Sequence, residues 1–320
     1  MTALSVPVAS SGQAAPAVGY AHPAYASTLD AAGDAAGRTI SLAGSGGWLI
    51  ERPIPGTDRS DAAAPYPLFC CRHWSALSGD LDDLAAARRL VSVVGVIDPF
   101  APVDAGTLAR AFPDLVRPYK EHHVVRLDRP LDRIATKHHR YYARRALRTL
   151  AVEPVTDLAG FAPQWAALYR KLVLRHGLRG LHAFSAQALG DQLAVPGAVA
   201  FCALADGQIV AAHVWYQQGE IAYSHLAASN EIGYGHAASY ALHWEAIRYF
   251  AAAGVAILDL GGAADGGRDG LLAFKAGWAN ETRIAYLCGR IIDRKAYQDL
   301  AAARGGTAAG YFPSYRRPMG

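Results

Sequence analysis

The fold is decided by residues 199–235, which read VAFCALADGQIVAAHVWYQQGEIAYSHLAASNEIGYG. Two apolar runs, Val199 to Ala205 and Gln208 to Gln217, are separated by Asp206-Gly207, a dipeptide typical of a tight β-hairpin. A third run from Glu220 to Ala228 predicts another strand. The stretch therefore predicts three antiparallel strands that lead into a glycine-bearing turn.

The same kind of pattern continues on both sides of this stretch. On its C-terminal side, we predict a helix from His236 to Ala253, stopped by Gly254, and an apolar strand from Val255 to Leu260. A short helix at 271–278 and a last strand at 283–292 follow. On its N-terminal side, strand and helix signals alternate through the first 130 residues. The sequence therefore predicts an α/β (α+β) fold with mixed sheets and helices on both faces.

Composition excludes several classes of protein. The chain has 320 residues, of which 52% are hydrophobic and 18% charged, as in a packed globular protein. No apolar run approaches the roughly 20 residues of a membrane helix, so we expect no membrane span. The four cysteines form no CxxC pair, so we expect neither a disulfide framework nor a metal site. The N-terminus does not resemble a secretory signal, and the expected location is cytoplasmic.

Positive charge is concentrated in one segment. Residues 126–148 contain eight lysines or arginines and two aspartates, in a chain whose net charge is +4. A helix predicted from Arg133 to Leu150 places five of the basic residues on one stripe, at spacings of four, three, four and four. Such a stripe suits a phosphate backbone or a phosphorylated substrate, but a solvated surface between two halves of the protein is the alternative. The candidate phosphate- or tRNA-binding residues are Lys137, Arg140, Arg144 and Arg148.

Two glycine segments carry a resemblance to a known family. Asn230-Glu231-Ile232-Gly233-Tyr234-Gly235 resembles the (Gln or Arg)-x-x-Gly-x-(Gly or Ala) loop of the GNAT acyltransferases, with Asn in place of the first residue. Asp259-Leu260-Gly261-Gly262, followed by GLLAFKAGW at 270–278, is similar to segments of the Fem-type branch. That branch contains peptidoglycan aminoacyl transferases and GNAT proteins of natural-product pathways.

The resemblance implies two tandem GNAT-like halves. We expect residues 1–37 to form a flexible tail with a short helix. Residues 38–150 would then form a degenerate GNAT-like half with the basic helix, and residues 151–320 the GNAT core with a C-terminal extension.

The resemblance also implies the site residues. Backbone amides of the glycine turn, at the start of a helix, would hold the phosphates of an acyl donor. The implied donor-binding residues are Asn230, Gly233, Tyr234, Gly235, His236 and Phe274. Lys275 is the implied cation that stabilises charge at the reacting centre.

Three further candidates follow from residue chemistry. His213 and His225, on adjacent predicted strands, suit the removal of a proton from an acceptor amine, although hydrogen-bonded core histidines are the alternative. Asp259, at a strand end, suits the binding of an ammonium group or the role of base, with a turn cap as the alternative.

The expected function is transfer of an acyl group to an amine of a small molecule or a cell-wall-type acceptor. The transferred group is expected to be aminoacyl, and the co-substrate an aminoacyl-tRNA or an acyl thioester such as acyl-CoA, with no tightly bound cofactor. Two alternatives remain: an acyl-CoA-dependent N-acyltransferase of a biosynthetic pathway, and a non-catalytic GNAT-like module that binds nucleotide or tRNA. A serine hydrolase is disfavoured because the chain contains no Gly-x-Ser-x-Gly elbow.

Overall fold

The strands of the protein form one continuous mixed sheet. The computed structural model describes residues 16–30, 38–87, 90–262, 269–305 and 311–317. Within these residues the strands are β1 Arg38–Leu42, β2 Gly47–Pro53, β3 Ser60–Ala63, β4 Leu90–Val96, β5 Leu115–Arg126, β6 Ala151–Pro154, β7 Ala198–Ala205, β8 Gln208–Gln218, β9 Ile221–Ser229, β10 Ile257–Asp259 and β11 Glu281–Ile291. Their order across the sheet is β1-β2-β3-β4-β11-β5-β10-β9-β8-β7-β6.

Helices cover both faces of this sheet. The described helices are α1 Pro23–Asp30, α2 Leu77–Ala86, α3 Ala105–Ala111, α4 Leu131–Ile134, α5 Lys137–Ala146, α6 Leu158–His176, α7 Ala186–Leu193, α8 Glu231–Gly235, α9 Ala238–Ala252, α10 Asp269–Ala276 and α11 Arg294–Ala303. Around the strands β7, β8 and β9, the helices α1, α6 and α7 pack on one face, and α5 and α9 pack on the other. The predicted fold class is therefore confirmed.

The last strand of the chain joins the two halves. β11 lies between β4 and β5 and pairs antiparallel with both. Because β11 follows the GNAT-like segments in sequence but pairs with β4 of the first half, the two halves share one hydrogen-bonded sheet. The boundary expected at residue 150 thus does not separate two sheets, and its position as a domain boundary stays a prediction.

The predicted hairpin forms as its sequence requires. Asp206 and Gly207 both adopt the left-handed region, with φ of 48° and 76°, and connect β7 to β8. Two consecutive positive φ values match the right-handed twist of the flanking strands. Val199, Trp215 and the other paired residues then form an antiparallel ladder from Ala198↔Tyr216 to Ala205↔Gln208.

The single basic helix predicted from Arg133 to Leu150 is wrong. The chain forms α4 and α5, separated at Ala135 and Thr136. The Thr136 side chain accepts a hydrogen bond from the His139 amide, which satisfies one free donor of the helix start and so favours a new N-terminus there. Arg133 and Arg148 consequently lie outside α5. The strand β6 and the helices α7 and α11 were not predicted at all.

The N-terminal segment is packed for as far as it is described. Tyr20 and Tyr25 are 2% and 0% exposed, with their rings edge-to-face at 5.0 Å. Burying an aromatic side chain of this size contributes roughly 1.5–3 kcal/mol. Residues 16–30 are therefore held against the core, residues 1–15 and 31–37 lie outside the described residues, and the N-terminal tail as a separate unit stays a prediction. The expected short helix is confirmed as α1.

Candidate functional site

The centre of the candidate site is a gap between β9 and β10. These parallel strands pair only from Ile257↔Ile221 to Asp259↔Tyr223. Beyond this point β10 ends, whereas β9 continues through residues 224–229. His225 has no partner in the register between β8 and β9, so β9 carries a bulge there. In the part of the chain that is described, no strand pairs with this edge of β9 beyond Tyr223. The main-chain groups of residues 224–229 on this edge thus have no strand partner among the described residues.

Lys275 extends from α10 to the end of β10. Its Nζ donates to the Gly262 carbonyl oxygen at 3.3 Å. Gly261 has φ of 73°, and a Cβ there would lie 3.3 Å from the lysine nitrogen. A Cβ on Gly262 would lie 2.5 Å from the Glu121 carbonyl oxygen. The two glycines are thus explained by a left-handed turn and by a close approach to β5.

The ammonium group of Lys275 is unusually easy to deprotonate. Burial lowers its pKa from 10.5 to about 8, the carboxylate of Asp259 opposes this shift, and the charge of Lys120 adds to it. Lys275 therefore stays cationic at neutral pH in a poorly solvated position, where a charge acts strongly on a bound substrate.

Asp259 is held by several donors next to this lysine. His122 Nδ1 donates to the carboxylate at 2.8 and 3.0 Å, and the Gly261 amide donates at 2.8 Å. Asp259 is 2% exposed and His122 is 4% exposed. Asp259 therefore caps the strand-end turn, which was the alternative noted from sequence, and it also places a carboxylate beside Lys275.

The two candidate histidines lie on opposite faces of the sheet. His213 is fully buried and stacks on Trp215 and His243, with ring centroids 4.4 and 4.7 Å away. Its Nε2 lies 2.8 Å from Ser224 Oγ, on the strand that borders the gap. Burial, then the neighbouring His243 and Lys275 charges, hold its pKa well below the ordinary value, so His213 is neutral.

His225 has both ring nitrogens engaged. Its Nε2 donates to Gln192 Oε1 at 3.1 Å, and its Nδ1 lies 3.2 Å from the Tyr20 hydroxyl. Burial lowers its pKa to about 3. This geometry matches the hydrogen-bonded core histidine that was the alternative reading, and its role as a base stays a prediction.

Sequence reasoning missed a further carboxylate, Asp98, at the end of β4. Tyr223 donates to Asp98 Oδ2 at 2.9 Å, and the Phe100 amide donates to Oδ1 at 3.0 Å. Burial raises the pKa of Asp98 to about 6, although these hydrogen bonds oppose the shift. Tyr223 pairs with Asp259 across β9 and β10, so Asp98 of the first half lies near the gap. The local signal was an Asp-Pro strand end, which predicts only that the strand stops.

The glycine turn forms a closed helical turn rather than an open ring of amides. Asn230 caps α8, and its Oδ1 accepts from the Gly233 amide at 2.9 Å. The Tyr234 amide donates to the Asn230 carbonyl at 3.0 Å. A Cβ on Gly233 would lie 2.5 Å from the Val210 carbonyl oxygen. Gly233 is therefore explained by packing on β8, and its amide is not directed at a ligand.

The remaining residues of the turn face outward. The Arg175 guanidinium lies 4.3 Å from the centre of the exposed Tyr234 ring. His236 Nδ1 lies 2.8 Å from Thr149 Oγ1. Gly235 is exposed, with nothing near its Cβ position. Donor binding by this turn stays a prediction.

A cavity of about 740 Å³ opens beside the turn. Its lining comes from the end of the basic segment, the β7–β8 hairpin and the glycine turn, and the lining residues are Arg148, Thr149, Leu150, Ala151, Ala205, Asp206, Gln208, Ile232 and His236. None of them belongs to β10 or α10. The cavity therefore borders the turn on the hairpin side, away from Lys275.

The basic residues of α5 and of the turn that follows it lie on the surface. Lys137, Arg144 and Arg148 are exposed, and Arg140 is half-buried. Within the described ranges, none of these four side chains forms an ion pair with a carboxylate. Their charge is therefore available to an anionic partner. In the same ranges, no group of three or more His, Cys, Asp or Glu side chains is arranged to hold a metal ion, and no helix is both long and apolar enough to cross a membrane.

Comparisons with known proteins show what this chain is similar to. A family model described as the acetyltransferase (GNAT) domain matches residues 135–286. The structure of FemX is similar, with a TM-score of 0.64 at 15% identity, covering 86% of this chain and 92% of FemX. The C-terminal domain of a putative lysylphosphatidylglycerol synthetase from Agrobacterium fabrum has a TM-score of 0.59 at 16% identity, covering 83% of this chain and 87% of that domain. No curated protein matches the sequence.

A third structure, L-PGS from Bacillus licheniformis, has a TM-score of 0.56 at 18% identity and covers 79% of this chain and 84% of that one. These identities are low, so the three structures establish the fold. Together with the family model they confirm the resemblance found in the glycine segments. Residues 135–286 thus match the acetyltransferase (GNAT) domain model, and the overall fold is similar to that of the FemX structure.

Proposed function

We propose that the protein transfers an aminoacyl group from aminoacyl-tRNA to a primary amine, with the chemistry in the gap between β9 and β10. The observation that carries the proposal is Lys275, a poorly solvated cation at the end of β10, the strand that pairs with β9 as far as Tyr223. A cation and free main-chain amides at such an edge suit the negative charge that develops on a carbonyl oxygen during acyl transfer.

The proposed reaction has three changes of bonding. The amine nitrogen attacks the carbonyl carbon, the ester bond to the tRNA ribose breaks, and an amide bond forms. Lys275 stabilises the oxyanion of the tetrahedral intermediate. Holding donor and acceptor together across one gap supplies much of the rate enhancement, because it removes the entropy cost of their encounter.

We assign the acceptance of the amine proton to Asp98, the buried carboxylate that is hydrogen-bonded to Tyr223 of β9. With a pKa raised to about 6, it is a carboxylate at neutral pH and still close enough in pKa to exchange protons near that pH. His213 and His225 are weaker candidates because burial holds their pKa values far below neutral. The proton then passes to the leaving ribose oxygen directly or through solvent.

The basic stripe supports tRNA as the donor. Exposed lysines and arginines that have no ion-pair partner among the described residues are suited to a phosphate backbone, and α5 supplies Lys137 and Arg144. The closed glycine turn gives less support to a pyrophosphate-bearing donor, since the Gly233 amide is already used. The lysyl product in the name of one structural neighbour is in keeping with an aminoacyl donor.

An acyl thioester such as acyl-CoA is the second candidate donor. The match to the acetyltransferase (GNAT) model over residues 135–286 favours it. The reaction at the gap would be the same, with a thioester bond broken in place of the ester.

The donor is identified by offering total tRNA charged with labelled amino acids, and separately acetyl-CoA, together with a panel of small primary amines. Label appearing on an amine from charged tRNA supports the proposal, whereas transfer from acetyl-CoA alone rejects the tRNA donor and keeps the acyltransferase. If charged tRNA binds but no aminoacyl group is transferred to any amine, the result favours a non-catalytic binding module over an enzyme. If neither donor binds, the proposal fails.

The tRNA contact has its own matched pair of variants. Arg144→Ala should weaken binding of charged tRNA and reduce the slope of log affinity against log salt by about 0.7–0.9. Arg304→Ala, an exposed arginine at the end of α11, should leave both unchanged. If both variants change tRNA affinity and its salt dependence equally, α5 is not part of the tRNA-binding surface.

A further inference from the structure

The helix that carries Lys275 is attached to the basic helix through one buried histidine. His139 of α5 is 5% exposed. Its Nε2 donates to the Phe274 carbonyl oxygen at 2.8 Å, and its Nδ1 lies 2.8 Å from Thr136 Oγ1, which donates to it. Because a carbonyl oxygen can only accept, Nε2 carries the hydrogen. His139 is therefore fixed in one neutral tautomer, and its hydrogen bond ends on the residue immediately before Lys275.

The ring of His139 occupies the space that a side chain at position 277 would take. A Cβ on Gly277 would lie 1.8 Å from His139 Cε1. The Thr136 amide donates to the Gly277 carbonyl at 2.9 Å, and the Trp278 ring meets His139 edge-to-face at 5.0 Å. The start of α5 and the end of α10 are thus joined by the hydrogen bond from His139 to Phe274, by the hydrogen bond from Thr136 to Gly277, and by the close contact between the His139 and Trp278 rings.

α10 depends on such contacts for its position. It has eight residues, and an isolated helix of that length is not stable in water. Leu271, Ala273 and Ala276 on its outer side are exposed, so its apolar attachment is limited to the side that bears Phe274. On that inner side, the Phe274 ring meets Tyr240 and His243 edge-to-face, and Trp278 after the helix is fully buried.

From this geometry we infer that His139 is a positioning residue that holds Lys275 in the gap and couples the basic helix to the reacting centre. The importance of that position rests on the proposed function of Lys275. The inference about position itself does not require any activity, because it concerns where the lysine nitrogen lies. It also explains Gly277 as the residue that makes room for the His139 ring.

The position of Lys275 can be measured without a substrate. The chain has five lysines, Lys120, Lys137, Lys171, Lys275 and Lys295, so ¹³C-dimethylation gives few NMR signals, and Lys275→Arg identifies the one of interest. His139→Ala should release α10, expose the amine and raise the pKa of Lys275 by about one unit or more toward its ordinary value. The signal of Lys171, which is exposed on α6 and is not among the charges that act on Lys275, is the internal reference and should be the same in both proteins.

The neighbouring histidine provides the matched control. His138 is exposed on the same helix, and His138→Ala should leave the titration of Lys275 as in the wild type. His139→Gln, whose side-chain amide can still donate to the Phe274 carbonyl, should restore most of the wild-type titration. An unchanged Lys275 titration in His139→Ala, or an equal shift in His138→Ala, overturns the inference.

A second pair of variants separates positioning from packing. Gly277→Ala forces the ring and α10 apart and should lower stability. In the double variant His139→Ala/Gly277→Ala, the new methyl group fills part of the vacated space, so stability should recover while the titration of Lys275 stays shifted. Recovery of both quantities would show that packing alone places Lys275 and would also overturn the inference. If the wild-type protein shows no transferase activity, that result counts against the proposed function and leaves the inference about His139 standing.

Discussion

Replacing Lys275 by methionine is expected to lower activity and raise stability together. The pKa of Lys275 is lowered from 10.5 to about 8, mainly by burial, so the folded protein holds this charge at a cost. One pKa unit corresponds to about 1.4 kcal/mol, which bounds the cost at roughly 3 kcal/mol. The side chain is partly exposed, and solvent screening reduces the expected gain on removing the charge to about 1–2 kcal/mol.

The stability that Lys275→Met gains over the wild type should fall as pH rises. Because the folded-state pKa lies below that of the unfolded chain, the unfolded chain binds more protons between about pH 8 and 10.5. The wild type therefore gains stability as pH rises through that window, and the variant does not. The advantage of Lys275→Met should be complete at pH 7 and should shrink as pH approaches 10. Burial is the main cause of the lowered pKa of Lys275 that defines this pH window, and the charged groups that also act on Lys275 are Asp259 and Lys120.

Activity should change in the opposite sense. Loss of one group that stabilises an oxyanion costs roughly 10²–10³-fold in kcat. Urea denaturation at pH 7 and pH 10, together with single-turnover transfer assays, measures both effects. Lys171→Met, at an exposed position of α6, is the control and should change neither. A Lys275→Met protein that is less stable than the wild type by the same amount at both pH values would refute the reasoning, since the lysine would then be structural.

Three other outcomes are expected. Asp61→Ala should lower the free energy of unfolding by about 3–5 kcal/mol in urea denaturation, because Arg52 and Arg316 lose the fully buried carboxylate that they share. Asp58→Ala, at an exposed position, is the control and should change the stability very little. Equal losses of stability in the two variants would contradict the structural role of Asp61. Gly233→Ala should lower stability by roughly 1–3 kcal/mol, because its Cβ would lie 2.5 Å from a backbone carbonyl oxygen. A Cβ on Gly235 would meet nothing within 4 Å, so Gly235→Ala should leave the stability unchanged when both variants are compared by thermal denaturation. For Asp98, kcat/KM should rise with pH through about 6 as the carboxylate forms, and an acid limb that survives in Asp98→Asn would exclude this residue as the proton acceptor.

Local rules explain the parts of the fold that could be predicted. The Asp206-Gly207 hairpin formed because two consecutive residues there tolerate positive φ. The position of the glycine turn at 230–235 was predicted correctly, but its closed conformation was not predicted. That conformation depends on the Asn230 cap and on the contact of Gly233 with β8. The break at Thr136 was missed because a capping threonine inside a strongly periodic basic run is a weaker signal than the periodicity.

The candidate site was only partly accessible to sequence reasoning. Lys275 and Asp259 were identified because each stands in a recognisable segment. Asp98 and Tyr223 carry no local signature of a site, and they meet across 125 residues of sequence. His122 and Asp259 meet across 137.

By itself, the sequence determined the strands β7, β8 and β9 with their hairpin, the end of α9 before Gly254 and the lysine at 275, because hydrophobic period and backbone conformational preference act over a few residues. Tertiary structure alone decided which polar groups share the gap. It placed β11 between β4 and β5, brought Asp98 to Tyr223, put His213 and His225 on opposite faces, and seated His139 on Gly277. Those outcomes depend on strand register and helix docking, which are set by burial summed over the whole chain and not by any one segment.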